Sequence, residues 1–333
     1  MGCSSLTLAT KDDRHFLART MDFTLDPGSC LLVLPRGQHH TLSRAGNYTR
    51  IQYTIMGMGT QDPRQRTLYD GVNENGIIGA ALYYPEAVYS RSTNGLLNPI
   101  NPMAALIYLL GNSSSLVEVR ELAGQMTLTD EDNQIIGPAP PLHFFFSDRT
   151  GSTLVIEPDE AGLSYHEQTV GVLTNAPCYP WQETNLRNYI GVHPWPVAPI
   201  HLEKTTLLPF GQGSGTWGLP GDYTSPSRFV RVAFMKYYVR QGDDELDGMN
   251  QCMQILSSVN IPQGAVLTQE GYSDYTRYTC AICAESLTYY FYTYECRRIT
   301  AVTMTQEMAM ARQLMTFPWP DSPKILWAKP DLS

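Results

Sequence analysis

Residues 2–23 read GCSSLTLATKDDRHFLARTMDF. Leu6 to Ala9 and Phe16 to Thr20 alternate apolar and polar side chains with the period of two that marks a strand, and Lys11 to Arg14 supplies a polar turn between them. An antiparallel hairpin of this kind folds Arg19 and Asp22 back beside Cys3. A thiol attacks only as the thiolate, and it needs a nearby base or positive charge to bring its pKa down from ~8.5. If Met1 and Gly2 are removed, Cys3 gains a base of its own, because a free α-amino group has a pKa of ~7.7 to 8.0 and is partly neutral at neutral pH. Asp22 would then orient the amine, and Arg19 would stabilise developing thiolate.

Working outward from this hairpin, Cys30 to Leu34, Gln52 to Met56 and Ile77 to Tyr84 also read as strands. Asp70 to Gly76 packs turn residues, with Asn75-Gly76 as a hairpin signal because both residues tolerate positive φ. Met103, Ile107 and Leu110 share a helical face, and Ser115-Leu116-Val117-Glu118 predicts a capping box that opens a second helix towards Ala123. Strands return at His143 to Phe146, Thr153 to Ile156, Leu163 to His166 and Gly171 to Thr174. Helical periodicity covers Ser227 to Val239 and Leu246 to Val259, while Tyr278 to Thr303 reads as two or three strands before a last helix over Gln306 to Leu314. This order does not suit the regular alternation of a parallel doubly wound sheet. It predicts an α+β fold in which stacked antiparallel sheets are covered by helices. Lys204 to Ser227, rich in Gly and Pro, reads as a long excursion.

The chain has 333 residues, 43% of them hydrophobic, enough to bury a large core. No stretch approaches the ~18 to 20 uninterrupted apolar residues of a membrane span, and the N-terminus lacks the basic and apolar regions of a secretory signal. We therefore expect no membrane association and a cytoplasmic location. The net charge of −9 and the scattered 23 Lys and Arg argue against nucleic acid as a partner. Seven cysteines at irregular spacing point to reduced thiols rather than a disulfide framework.

Nine segments in order, GCSSLTLATKDD, LARTMDF, LYDGVNENGIIGAALYY, IEPD, GVLTNAP, TNLRNYIG, PFGQGSG, LPGDYTSPSRFVR and LSSVNIPQG, resemble the choloylglycine hydrolase family of N-terminal-nucleophile hydrolases across essentially the whole chain. The likeness is greatest to the family's Gram-positive penicillin V acylases. It implies a four-layer αββα sandwich, a propeptide of residues 1–2, one catalytic domain over 3–333, no cofactor or metal, and a homotetramer with 204–227 as an assembly arm. The family nucleophile falls on Cys3, and the Arg and Asp of RTMDF fall on Arg19 and Asp22. The first aromatic of LYY falls on Tyr83, the Asn of TNAP on Asn175 and the Arg of PSRF on Arg228. The side-chain amide of Asn175 and the backbone N–H of Tyr83 resemble the family's oxyanion hole, with Arg19 and Arg228 biasing Cys3 towards thiolate. Tyr at position 83 is similar to penicillin acylases, where bile-salt hydrolases typically carry Asn.

An apolar acyl pocket is expected next to these residues. Met21, Phe23, Met58, Ile135 and Ile136 are candidates beside Tyr83. The implied partner is a small amide bearing an aryl or other amphipathic acyl group: penicillin V first, with conjugated bile salts and N-acyl homoserine lactones as alternatives. Cys280-Ala281-Ile282-Cys283 lies in a strand-like run, where residues three apart point to opposite faces, so it predicts no metal site. His39-His40 reads as a solvated pair, and Gly211 to Gly215 lacks the Lys of a phosphate loop. Two rival readings remain from the residues: an unprocessed binding protein, and a myristoylated peripheral protein, although Leu6 stands where myristoylation wants Ser or Thr.

Overall fold

In the computed structural model, which describes residues 2–24, 28–60, 66–91, 95–131 and 138–328, two antiparallel sheets lie face to face. The first is six-stranded, in the order Val172–Leu173, Gly2–Ala9, His15–Phe23, Tyr275–Cys283, Thr288–Thr293 and Thr300–Thr303. The second is eight-stranded: Gly162–Glu167, Thr153–Asp159, Leu142–Ser147, Ile78–Tyr83, Thr67–Asn73, Ile55–Thr60, Ser29–Leu34 and Met315–Phe317.

Side-chain alternation builds the layers. Along Leu142–Ser147, Phe145 joins a core with Leu82, Met56 and Val155 of its own sheet and Leu17 of the other, whereas Phe144 and Phe146 face a second core. That second core is filled by Leu106, Ile107 and Leu110 of helix Pro102–Asn112 and by Val119 and Ala123 of helix Leu116–Gly124. On the far side of the first sheet, helix Ser225–Tyr238 contributes Phe229 and Val232, and helix Glu245–Ser257 contributes Cys252, Met253 and Leu256. The result is a helix–sheet–sheet–helix sandwich of the α+β class. Among the described residues no helix is long and apolar enough to cross a membrane.

The helix starts follow their caps. Asn101 accepts from Met103 N–H at 3.0 Å, and Ser115 Oγ accepts from Glu118 N–H at 3.2 Å. The Glu118 carboxylate turns back onto Ser114 N–H rather than onto that of Ser115, one residue earlier than the capping box predicts.

Several expectations need correction. The strand placed at Gln52 to Met56 is Ile55–Thr60. The turn expected over Asp70 to Gly76 is shorter: Thr67–Asn73 is a strand, and only Glu74 to Gly76 turns, with Gly76 at φ 84°. Gly71 serves a different purpose. It lies opposite Gly57, and a Cβ on Gly57 would come within 2.1 Å of the Asp70 carbonyl oxygen, so the pair permits close approach of two strands. His39 and His40 are not both solvated, because they alternate on the short strand His39–Thr41, with His39 exposed and His40 buried. The last helix is only Gln306–Met310, because Met315–Phe317 leaves it to pair with Ser29–Leu34. Helix Tyr179–Asn185 has too short an apolar pattern to be seen in the sequence. The excursion begins before Lys204, as a hairpin of Ile200–Leu202 and Thr205–Leu207, and it carries exposed Ile200, Leu202, Leu207, Leu208, Phe210 and Trp217.

Phe145 has no exposed surface and sits between the sheets. We expect Phe145→Ala to lower the unfolding free energy by about 3 to 5 kcal/mol, the usual cost of emptying a buried aromatic site, as read from urea denaturation.

Candidate active site

Register places the nucleophile. In the N-terminal hairpin Cys3 pairs with Met21, Ser5 with Arg19 and Gly2 with Asp22. Residues two apart share a face of a strand, so Arg19 reaches diagonally along the Cys3 face while Asp22 occupies the face of Gly2 and Ser4. Arg19 Nη2 lies 2.8 Å from Cys3 Sγ and 3.1 Å from Met21 Sδ. Its other nitrogens donate across the sandwich to the carbonyl oxygens of Tyr69 (2.9 Å) and Ala81 (2.8 Å) and to that of Thr20 (3.2 Å). Cys3 is 3% exposed and Arg19 is fully enclosed.

A buried guanidinium needs a counter-charge. Asp70, itself fully buried, stands 3.7 Å from Arg19 Nη1 and accepts hydrogen bonds from the hydroxyls of Tyr278, at 2.5 Å, and Tyr289. Burial opposes the Arg19 charge, yet Cys3, Tyr278 and Asp70 outweigh it and hold the guanidinium above its ordinary pKa. Burial likewise pushes the Asp70 carboxyl up, opposed by Arg19 and the two tyrosines. None of these three partners stood out in the sequence. Asp70 read as a turn residue, and Tyr278 and Tyr289 as strand aromatics, since only the facing of two sheets brings them to Arg19.

On the opposite face of the first sheet, helix Ser225–Tyr238 inserts Arg228. Its Nη1 donates to the Cys3 carbonyl oxygen (2.5 Å) and to Ser4 Oγ (2.7 Å), and its Nη2 to Asn175 Oδ1 (2.6 Å). Burial pulls the Arg228 pKa down, with Asp22 and Cys3 opposing. The two arginines therefore differ: Arg19 contacts the sulfur, and Arg228 grips the backbone and Asn175. Cys3 N–H also donates to Asn175 Oδ1, at 3.0 Å. With two donors on its oxygen, the Asn175 amide must turn its nitrogen the other way, and Nδ2 donates to the Tyr83 carbonyl oxygen at 2.6 Å. Tyr84 N–H donates to the carbonyl oxygen of Pro141, the residue before the neighbouring strand Leu142–Ser147. In an antiparallel ladder the next residue back faces the other way, so Tyr83 N–H points to the same side as its carbonyl, towards Asn175.

A cavity of about 250 Å³ opens here, lined by Gly2, Tyr83, Asn175, Arg228, Ile261 and Asp274 among others. Gly2 fits closely: a Cβ there would lie 3.1 Å from Arg228 Nη2 and 3.4 Å from Asp22 Oδ2. All six expected catalytic positions thus converge on this end of the sandwich. The expected acyl-pocket residues are less concentrated. Tyr83 lines the cavity and Met21 touches the Cys3 sulfur, at 4.0 Å. Phe23 is half-buried at the strand end opposite Tyr275, and Met58 is fully buried in the core between the sheets. Ile135 and Ile136 lie outside the described residues. Ile261, Val266, Tyr223 and Asp274 line the cavity without having been foreseen, because the loops that carry them have no periodic pattern to read.

A thiol flanked by a guanidinium and its own backbone nitrogen, at the end of two stacked antiparallel sheets with helices outside, defines a nucleophilic hydrolase of the N-terminal type. Residues 3–317 match the family model of linear amide C–N hydrolases, choloylglycine hydrolase family, and the chain belongs to that family. It is an amidohydrolase acting on linear amides. The chain is 33% identical to the bile salt hydrolase/transferase of Clostridium perfringens, over 95% of this chain and 96% of that one. It is 24% identical to the penicillin V acylase of Pectobacterium atrosepticum, over 84% of this chain and 74% of that one. A solved structure of a cysteine-to-alanine variant of the conjugated bile acid hydrolase from Clostridium perfringens superposes with a TM-score of 0.91 at 31% identity, covering 98% of this chain and 100% of the other. The penicillin V acylase of Agrobacterium tumefaciens shares the fold, with a TM-score of 0.75 at 20% identity over 94% of this chain and 90% of its own.

With Gly2 in place, Asp22 is fully buried, and burial pushes its pKa from 3.8 up to about 6 against the pull of Arg228 and Thr276. The folded chain thus holds this proton more tightly than the unfolded chain. The stability it provides is complete below about 3.8 and is lost as pH rises through about 6. In a Cys3→Ala chain that keeps Gly2, unfolding free energy should fall across this window, and adding Asp22→Asn should flatten the fall; urea denaturation at both ends of the window checks this.

Proposed function

We propose that this chain hydrolyses the side-chain amide of penicillin V, giving phenoxyacetate and 6-aminopenicillanic acid, with Cys3 as nucleophile once Met1 and Gly2 are removed. The observation that carries the reading is the single residue Cys3, whose sulfur lies 2.8 Å from Arg19 and whose nitrogen lies 3.0 Å from Asn175 Oδ1, beside the Tyr83 cavity. In the processed chain, the α-amine, oriented by Asp22, takes the thiol proton as Sγ attacks the carbonyl carbon. The second hydrogen of Asn175 Nδ2 and the N–H of Tyr83 receive the oxyanion, the kind of stabilisation that contributes ~2.7 to 4 kcal/mol per donor. Collapse breaks the C–N bond, the ammonium returns the proton to the leaving amine, and water hydrolyses the thioester by the same route reversed.

Two observations favour a compact aryl acyl group: Tyr83 at the cavity wall, and a volume of about 250 Å³, below the ~300 to 1,000 Å³ of common ligand pockets. A second reading is conjugated bile salt hydrolysis, favoured by the 33% identity to the Clostridium perfringens enzyme. N-acyl homoserine lactones are a third substrate class to set beside them. The exposed apolar hairpin over Ile200–Leu207, with Phe210 and Trp217, supports its use as the assembly arm of a homotetramer. Seven unpaired cysteines support a cytoplasmic location for a reduced enzyme.

Penicillin V, glycocholate and a long-chain acyl homoserine lactone assayed side by side should rank in that order by kcat/KM; a glycocholate value above that of penicillin V moves the assignment to the second reading. The active chain should begin at Cys3 by N-terminal mass. Cys3→Ala should be inactive, and a variant as fast as the parent would end the thiol mechanism. Asn175→Ala should lower kcat by ~10²-fold or more.

A further inference from the structure

His143 lies between the two segments that carry the oxyanion donors, and the reaction described above leaves it unused. It stands on Leu142–Ser147 opposite Leu82, the residue before Tyr83, and is fully buried. Its ring stacks on Tyr84, with centroids 4.7 Å apart and planes 3° from parallel. At the ring edge, Nδ1 meets Glu157 Oε1 at 3.0 Å and Nε2 meets the carbonyl oxygen of Thr174, the residue before Asn175, at 3.1 Å. One imidazole is thus keyed to Tyr84 on one side of the oxyanion site and to Thr174 on the other.

Hydrogen-bond valence fixes one end of the ring. A carbonyl oxygen only accepts, so Nε2 carries hydrogen. Glu157, the glutamate of the IEPD segment, is surrounded by donors: besides His143 it meets Tyr179 N–H at 2.9 and 3.1 Å and His166 Nε2 at 3.4 Å. Burial works against the Glu157 charge, but hydrogen bonds from His143 and His166 prevail and hold its pKa at about 2. Glu157 in turn is fixed by the first residue of helix Tyr179–Asn185 and by the sheet, so the clamp has a rigid base.

We propose that His143, stacked on Tyr84 and bonded to Thr174 and Glu157, is a positioning residue that fixes the Tyr83 and Asn175 donors relative to each other. This rests on the oxyanion role given to those two groups under the proposed function. The amide nitrogen of Gln reaches the place of histidine Nε2, and that of Asn the place of Nδ1. His143→Gln therefore keeps the bond to Thr174, and His143→Asn keeps only the bond to Glu157. His143→Asn should lower kcat about 10- to 100-fold with KM within about 2-fold, and His143→Gln should recover most of the loss. Alkylation of Cys3 by iodoacetamide builds no oxyanion, so its rate should match wild type in both variants.

Asn175→Ala is the reference. If it lowers kcat and His143→Asn does not, the positioning role is wrong while the oxyanion reading stands. Equal losses in the Asn and Gln variants, with alkylation slowed alongside, also overturn it by revealing general disruption. A normal kcat in Asn175→Ala removes the oxyanion reading and this proposal with it. Should neither His143 variant fold, ¹⁵N spectra of the wild-type ring decide: hydrogen on Nε2 supports the bond to Thr174 and the clamp, and a bare Nε2 overturns it.

Discussion

The contact between the Arg19 guanidinium and the Cys3 sulfur, closed off from water between two sheets, is the constraint around which the rest of this molecule is arranged. A charged group in that position loses its hydration, and the loss is tolerable only if every donor is matched and a counter-charge is near. Three backbone carbonyls and the two sulfurs take the hydrogens, and Asp70 supplies the charge. Asp70 then needs donors of its own, which Tyr278 and Tyr289 provide from the first sheet. A reactive group at the end of one strand thereby ties together four strands of one sheet and two of the other.

Arg228 repeats the logic on the opposite face with a different outcome. It does not touch the sulfur. Its guanidinium spans the Cys3 carbonyl, Ser4 and Asn175, and by occupying Asn175 Oδ1 it leaves the amide nitrogen aimed at the cavity. Cys3 is thus held by its backbone from one side and met at its sulfur from the other. Gly2 fits closely beside Asp22 and Arg228, which is why a small residue suits this point.

Much of the local structure was legible because it rests on local rules. Alternation marked the N-terminal hairpin, and Ser115 caps the helix it was expected to open. Errors fell where a residue type has two physical uses. Gly71 permits close strand approach rather than a turn, and the run after Gln306 gives up helix for a distant strand partner. Both outcomes depend on neighbours far along the chain.

The sequence by itself determined the family and the α+β class and singled out Cys3 and its flanking residues as candidates, because these follow from strand periodicity, thiol chemistry and an ordered set of family segments. Only the tertiary structure decided what each arginine touches, that Asp70 with two tyrosines holds the charge of Arg19, and that His143 joins Glu157 to the segment before Asn175. These contacts reach across as many as 225 positions of the chain, and no local pattern encodes them, since they arise where the two sheets and their helices face one another.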